Sequence, residues 1–317
     1  MTGRAGCIPI FFSSEWKRLI KPLVLGIVGT GAMQLNSTLD AFFAQFADVS
    51  GPAYLWYAIR VQQLPLALFG IALSGALLPP LARAMHDNAW ERYRELLASA
   101  VRQAAVLMVP CVFGLFVLGA SGLNLLYGRG AFTSHALKET LFCLWAYGLG
   151  LIPAVFVLLL ATGSYAKKNY NTPMFASLIS VGVHCVLNMF LIFVLHWGAF
   201  SIAIATSVSA WLNFGLLLRG QPIGAFFWKY LAKLAMACGL AAGMTLFLGR
   251  FMGDGTLDIC CGDVHLLSRS FFDQLVQFGI MGSAYLVSFL ILAKQFGFSE
   301  FFLLLRLFGF GRRVHNE

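Results

Sequence analysis

The stretch Tyr57-Ala58-Ile59-Arg60-Val61-Gln62-Gln63-Leu64-Pro65 puts a permanently charged guanidinium inside an otherwise apolar run. The run extends from Pro52 to Leu78, long enough to span a bilayer. At about 1.5 Å of rise per residue, Arg60 lies roughly 12 Å inside its first end. An arginine at that depth costs from about 2.5 to roughly 10 kcal/mol or more, so such residues face a water-filled cavity or a partner and mark a substrate path. Tyr57 and Gln63 lie three residues to either side and share its face, while Gln62 points elsewhere. One wall of this helix is therefore expected to be wet. The alternative is a buried Arg-Asp lock that fastens two helices.

Working outward, a composition of 59% hydrophobic and 11% charged residues over 317 positions excludes a soluble domain. With a mean hydropathy of +0.80, an all-α, polytopic membrane bundle is what remains. Eight apolar runs approach the length of a span: 22–46, 52–78, 100–123, 140–162, 173–195, 199–218, 230–251 and 275–293. The net charge of +9 would suggest nucleic acid in a soluble chain, but here its distribution decides. With the N-terminus inside, all of the 22 lysines and arginines fall in inner segments except Arg60, Arg129, Lys138, Arg250 and Arg269. Both termini are therefore expected in the cytoplasm, and no nucleic-acid partner is expected. Residues 1–21 read as a cytoplasmic segment, 22–218 as a six-helix lobe, and 219–317 as two further spans with a cytoplasmic tail.

The first span is polar on two sides. Gln34, Ser37, Thr38 and Gln45 recur on one face, while Asn36 and Asp40 sit four apart on nearly the opposite one. Asp40 is the only carboxylate placed inside a span, which makes it the candidate for cation or proton coupling. With Asn188 and Thr206 it would supply oxygen ligands of the kind sodium prefers, provided three helices pack together. A purely structural or Arg60-paired aspartate is the other reading. No Walker loop, dinucleotide glycine pattern or HExxH is present, and the six histidines are scattered. Neither catalysis nor a cofactor nor a bound metal is expected, so energy would come from ions or membrane potential.

Elsewhere, Pro79-Pro80 is expected to end the second span. Arg83 to Arg102 then reads as an amphipathic helix in the cytoplasmic interface beside anionic lipid, or as a docking surface. Cys111, Cys143, Cys185 and Cys238 read as apolar filler, whereas Cys260-Cys261 lies in a polar loop and would be redox-active or disulfide-linked if that loop faces an oxidising space. Gly239 and Gly243 form a GxxxG pair.

The segment YAIRVQQLP, followed by Gly70 and the LLPPLAR ending at Arg83, resembles the eighth membrane helix of the lipid II flippase (MurJ/MviN) family of the multidrug/oligosaccharidyl-lipid/polysaccharide exporter superfamily. The turn Tyr127-Gly128-Arg129-Gly130-Ala131-Phe132-Thr133 is similar to that family's YGRGxFT loop, and Ser164 to Pro173 to its short cytoplasmic connection. The resemblance runs from about Pro22 to Arg219, and the last two spans fit the family's extra helix pair, whose groove is thought to hold a lipid tail. It implies an alternating-access flippase for undecaprenyl-diphosphate-linked peptidoglycan precursor in a bacterial inner membrane. Arg60 would bind the diphosphate, to which a guanidinium is matched in bidentate geometry, with Tyr57, Gln63 and Gln34 beside it. The family often carries an acidic residue at the Ile59 or Gln63 position; this chain has neither. It corresponds to the last eight of the family's fourteen helices, so a fragment, a misplaced start or one half of a split transporter is implied. A drug or polysaccharide exporter, and a non-transporting scaffold for cell-wall synthesis proteins, are the competing readings.

Overall fold

The computed structural model describes residues 14–219, 221, 225–252, 270–298 and 301. Among them every regular element is a helix. The order is α1 (Ser14–Ala47); a long span made of α2 (Gly51–Pro65), a π-helical turn (Leu66–Ile71) and α3 (Ala72–His86); then α4 (Trp90–Tyr127), α5 (Ser134–Ala166), α6 (Asn171–Phe193), α7 (Ala199–Leu218), α8 (Ala225–Met252) and α9 (Phe271–Gln295). Helices are what an apolar chain must form in lipid, because each satisfies its own backbone where no water can. Seven segments among the described residues, from the α2–α3 span to α9, are long and apolar enough to cross a membrane. The more polar α1 packs on α6, α2 and α7 as the eighth member of the bundle. The chain is a multi-pass membrane protein. Residues 1–13, the Cys260-Cys261 loop and the tail past 301 lie outside the described residues.

The most deeply buried span is α5, which touches α2, α3, α4 and α7. Its first turn is capped by Thr133, whose hydroxyl accepts from the Ala136 amide at 3.2 Å. Small residues set how closely its neighbours approach. A Cβ at Gly150 would stand 2.5 Å from Ser207 Oγ and 3.0 Å from Ser207 Cα, so α5 and α7 meet backbone to backbone there. Ser207 Oγ donates across that seam to the Ala146 carbonyl at 2.6 Å. The π-helical turn follows directly on Pro65, where the missing backbone N–H breaks the regular ladder.

Two expectations about the second span are corrected. Pro79 and Pro80 do not end it; they lie inside α3, which continues to His86 with Leu77, Leu81 and Ala84 packed into the core. Nor do residues 83–102 form one interfacial helix. The chain turns at Asp87-Asn88-Ala89, with Asn88 at a φ of +54°, and α4 begins at Trp90. Tyr93, Leu97, Ala100, Val101 and Ala104 are buried, so this apolar stripe meets protein and opens a membrane span.

At the same end a polar knot ties three segments together. The Tyr93 hydroxyl lies 3.1 Å from the Gly163 carbonyl and 3.2 Å from Gln221 Oε1. Lys167 donates to that Oε1 at 3.2 Å, and Gln221 Nε2 donates to Ser164 Oγ at 3.0 Å. Burial, and after it the Arg94 charge, push the Lys167 ammonium below the usual lysine range.

The expected helix pair is present as α8 and α9, packed on each other and on α4. The Tyr285 hydroxyl donates to the Pro110 carbonyl at 2.8 Å, and at the opposite end from the knot the Arg129 guanidinium lies 4.4 Å above the Phe271 ring. Gly239 faces Phe113 of α4, whereas a Cβ at Gly243 would meet nothing within 4 Å. Among the described residues the GxxxG pair therefore forms no shared helix seam.

Candidate functional site: an exposed arginine and a buried carboxylate

The two polar faces of α1 separate as the sequence suggests. Gln34, Ser37, Thr38 and Gln45 are exposed, Asn36 is half-buried, and Asp40 is only 5% exposed. Asp40 is buried because its face of the helix meets α6 and α7. Its Oδ1 lies 2.9 Å from His184 Nε2, and the Thr206 hydroxyl donates toward its two oxygens at 3.2 and 3.1 Å. Asn188, one turn along α6, places its Nδ2 2.9 Å from the same His184 nitrogen. Tyr147 of α5 is buried beside this cluster, and its hydroxyl has no hydrogen-bond partner among the described residues. The three residues expected to meet if their helices packed together, Asp40, Asn188 and Thr206, are thus in one cluster.

His184 is the member that sequence reasoning missed. It is fully buried, and it joins Asn188 to Asp40. A signal was available: Ser180, His184 and Asn188 recur every four residues on an apolar helix, which places them on one face. Ser180 is tied down there too, donating to the Ser209 carbonyl of α7 at 2.5 Å. The set is not all oxygen, as a hard cation asks: an imidazole nitrogen faces the carboxylate, and the one Thr206 hydroxyl is shared between Asp40 and the Ile202 carbonyl, 2.9 Å away. Among the described residues no group of three His, Cys, Asp or Glu side chains is placed to hold a metal ion.

Arg60 has the opposite surroundings. It is exposed on α2, with its guanidinium carbon 5.0 Å above the Trp56 ring, and no carboxylate among the described residues pairs with it. The Arg-Asp lock is therefore not formed; Asp40 is taken by His184. Gln63 is exposed near Arg60, while Gln62 turns inward and donates to the Tyr147 carbonyl at 3.1 Å. Tyr57 is half-buried, its ring 4.6 Å from Tyr127 and 5.5 Å from Phe132, so it docks the Arg60 helix on the Tyr127–Thr133 turn. Gln34 is exposed on α1 and makes no side-chain bond to Arg60, Tyr57 or Gln63. Beside Arg60 on the same helix, Val61 and Leu64 open onto an apolar groove of about 360 Å³, closed by Gly114 and Leu118 of α4 and Phe278 of α9.

A family model described as lipid II flippase MurJ matches residues 5–257. This chain belongs to the lipid II flippase MurJ family. A relative from Vibrio cholerae, named probable lipid II flippase MurJ, is 32% identical over 232 residues, covering 71% of this chain and 44% of the relative. One of the same name from Chlamydia trachomatis is 33% identical over 201 residues, covering 63% and 37%. The chain therefore spans less than half the length of these MurJ relatives. A solved structure of lipid II flippase MurJ in an inward closed conformation superposes with a TM-score of 0.65 at 24% identity, over 89% of this chain and 55% of that one. An outward-facing MATE multidrug transporter superposes at 0.57 with 12% identity, over 88% and 63%. These two likenesses show the fold, which MurJ shares with drug transporters. Membership in the MurJ family rests on the sequence match.

Proposed function

We propose that this chain supplies one lobe of a lipid II flippase, carrying the undecaprenyl-diphosphate-linked precursor to the outer leaflet by alternating access for cell-wall synthesis. The observation that carries the reading is the juxtaposition on α2. An unpaired, exposed guanidinium with Gln63 beside it adjoins an apolar groove lined by the next turns of the same helix. That is the shape of an amphiphile with an anionic head and a long hydrocarbon tail. Arg60 and Gln63 take the diphosphate, Tyr57 holds their helix to the Tyr127–Thr133 turn, and Gln34 faces the same substrate from α1. The groove between α2, α4 and α9 takes the tail. Asp40, Asn188 and Thr206, with His184, form the coupling site. The protein lies in a bacterial inner membrane with both termini in the cytoplasm, surrounded by membrane lipid and completed by the rest of the transporter.

The test is genetic and uses the native protein. In cells depleted of their own flippase, Arg60→Ala abolishes rescue and Arg60→Lys retains part of it, at equal abundance in the membrane. Undiminished rescue by the alanine variant defeats the assignment and favours a scaffold that does not transport. A drug exporter would instead show Arg60 protected from chemical labelling by a cationic drug and not by lipid II.

A further inference from the structure

We infer that the ligand of the buried cluster is a proton, held between Asp40 and His184 while α1 is closed on α6 and α7 and given back to water when that contact opens. This rests on reading the chain as a transporter lobe, and it names the coupling ion of that lobe.

Charge is the first argument. Asp40 is 5% exposed and His184 is 0% exposed, so the pair is sealed from water. The groups facing it are Thr206 from α7, Tyr147 from α5, and Asn188 and Cys185 on α6, and none of them carries a positive charge. Arg60 is on α2 and turned outward toward Trp56. A neutral imidazole beside an ionised carboxylate would leave one net negative charge enclosed by apolar helices. One added proton cancels it, whichever of the two groups carries it. Closing the site is thus tied to taking up a proton.

Hydrogen-bond geometry is the second argument, and it is independent of the first. A ring nitrogen has a single in-plane direction, and it either donates there or accepts. Two partners of opposite kind converge on His184 Nε2, the acceptor Asp40 Oδ1 at 2.9 Å and the amide donor Asn188 Nδ2 at 2.9 Å. With a hydrogen on Nε2 or on Oδ1, the Asp40 bond is made. With Nε2 bare and the carboxylate ionised, the ring nitrogen accepts from the Asn188 amide, and Asp40 keeps the Thr206 hydroxyl. Each partner therefore belongs to one placement of the hydrogen between ring and carboxylate. Thr206 lies within 3.1 to 3.3 Å of the ring nitrogen and both carboxylate oxygens and 2.9 Å from the Ile202 carbonyl, so its rotatable O–H serves either placement. Among the described residues His184 Nδ1 and Asn188 Oδ1 are buried without a partner. These unused groups are what a site that must exist in two hydrogen-bonded forms leaves over. No electrons move: the proton comes from water when the contact closes and returns to water when it opens.

The experiment uses the purified chain in lipid nanodiscs, with no lipid II present, so its failure is distinct from failure of the flippase reading. Histidine ring nitrogens are labelled with nitrogen-15, and the His184 signal is identified as the one absent from His184→Gln. Should that variant fail to insert, Asp40→Asn identifies it by moving it. Radioactive sodium binding is measured on the same samples. The expected result is that the His184 signal responds to pH in the native chain, that Asp40→Asn alters this response, and that sodium does not bind saturably. A His184 signal indifferent to pH, or saturable sodium binding that Asp40→Asn removes, overturns the proposal.

Discussion

Arg60 and Asp40 carry opposite charges in the same bundle, yet they do not meet. Asp40 is enclosed, with His184 and Thr206 bonded to it, whereas Arg60 stands exposed above the Trp56 ring. The contrast separates two ways of keeping a charge at membrane depth. An enclosed charge must be answered by groups of the protein, and its neighbours then become part of the fold. An exposed one is answered by water or by a ligand, and the fold is indifferent to it. Stability and activity should therefore respond in opposite ways at the two places.

The sharpest break in that comparison is at the enclosed pair. Removing one partner of a buried pair costs about 3–5 kcal/mol, so His184→Ala should lower the unfolding midpoint of the detergent-solubilised protein severely. Asp40→Leu combined with His184→Leu should recover much of that loss while abolishing rescue of flippase-depleted cells; a double variant as unstable as the single one would mean the pair does not act as a unit. Next in size is the α5–α7 seam under the cluster. Gly150→Val pushes a side chain into Ser207, at about 1–3 kcal/mol of overpacking, and should weaken function by displacing Thr206. Gln221→Ala removes the acceptor shared by Tyr93 and Lys167 and should cost about 1–3 kcal/mol by leaving a half-buried donor unmet. Tyr285→Phe should lower the melting midpoint slightly, since hydrogen bonds between membrane helices average about 0.6 kcal/mol. Smallest of all, Arg60→Ala should change stability by no more than about 0.5 kcal/mol although it removes activity. An Arg60→Ala protein that unfolds as readily as His184→Ala would erase the distinction between the two charges.

Much of this arrangement was legible in the residues. The shared exposed side of α2 that carries Arg60 and Gln63, and the two-sided polarity of α1, followed from helical spacing. The meeting of Asp40, Asn188 and Thr206 followed from the same rule, conditional on a packing the sequence does not state. His184 escaped because a lone histidine was weighed by itself; its membership shows only in the every-fourth-residue row it forms with Ser180 and Asn188. Tyr147 gave no sign, since a tyrosine among leucines looks the same whether its hydroxyl meets lipid headgroups or is buried in the bundle. The 83–102 segment misled for a different reason. Its apolar stripe is genuine, but a stripe does not say whether protein or lipid covers it, and here Tyr93 and Leu97 are covered by α5. The paired prolines misled because a helix that is packed on its flanks tolerates lost backbone bonds that would end a free one.

The backbone contact of Gly150 with Ser207 has a kinematic consequence. Two helices that touch without intervening side chains, and are pinned by the bond from Ser207 to Ala146, can neither slide nor roll on one another without a steric collision. They form one rigid member, and Tyr147 and Thr206 are both fixed to it, on either side of the pinned seam. Ser180 fastens α6 to the same member through Ser209. Asp40 of α1 is bonded to this frame through His184 and Thr206, beside the buried Phe43 and Ala44, so any displacement of α1 against it must break those contacts.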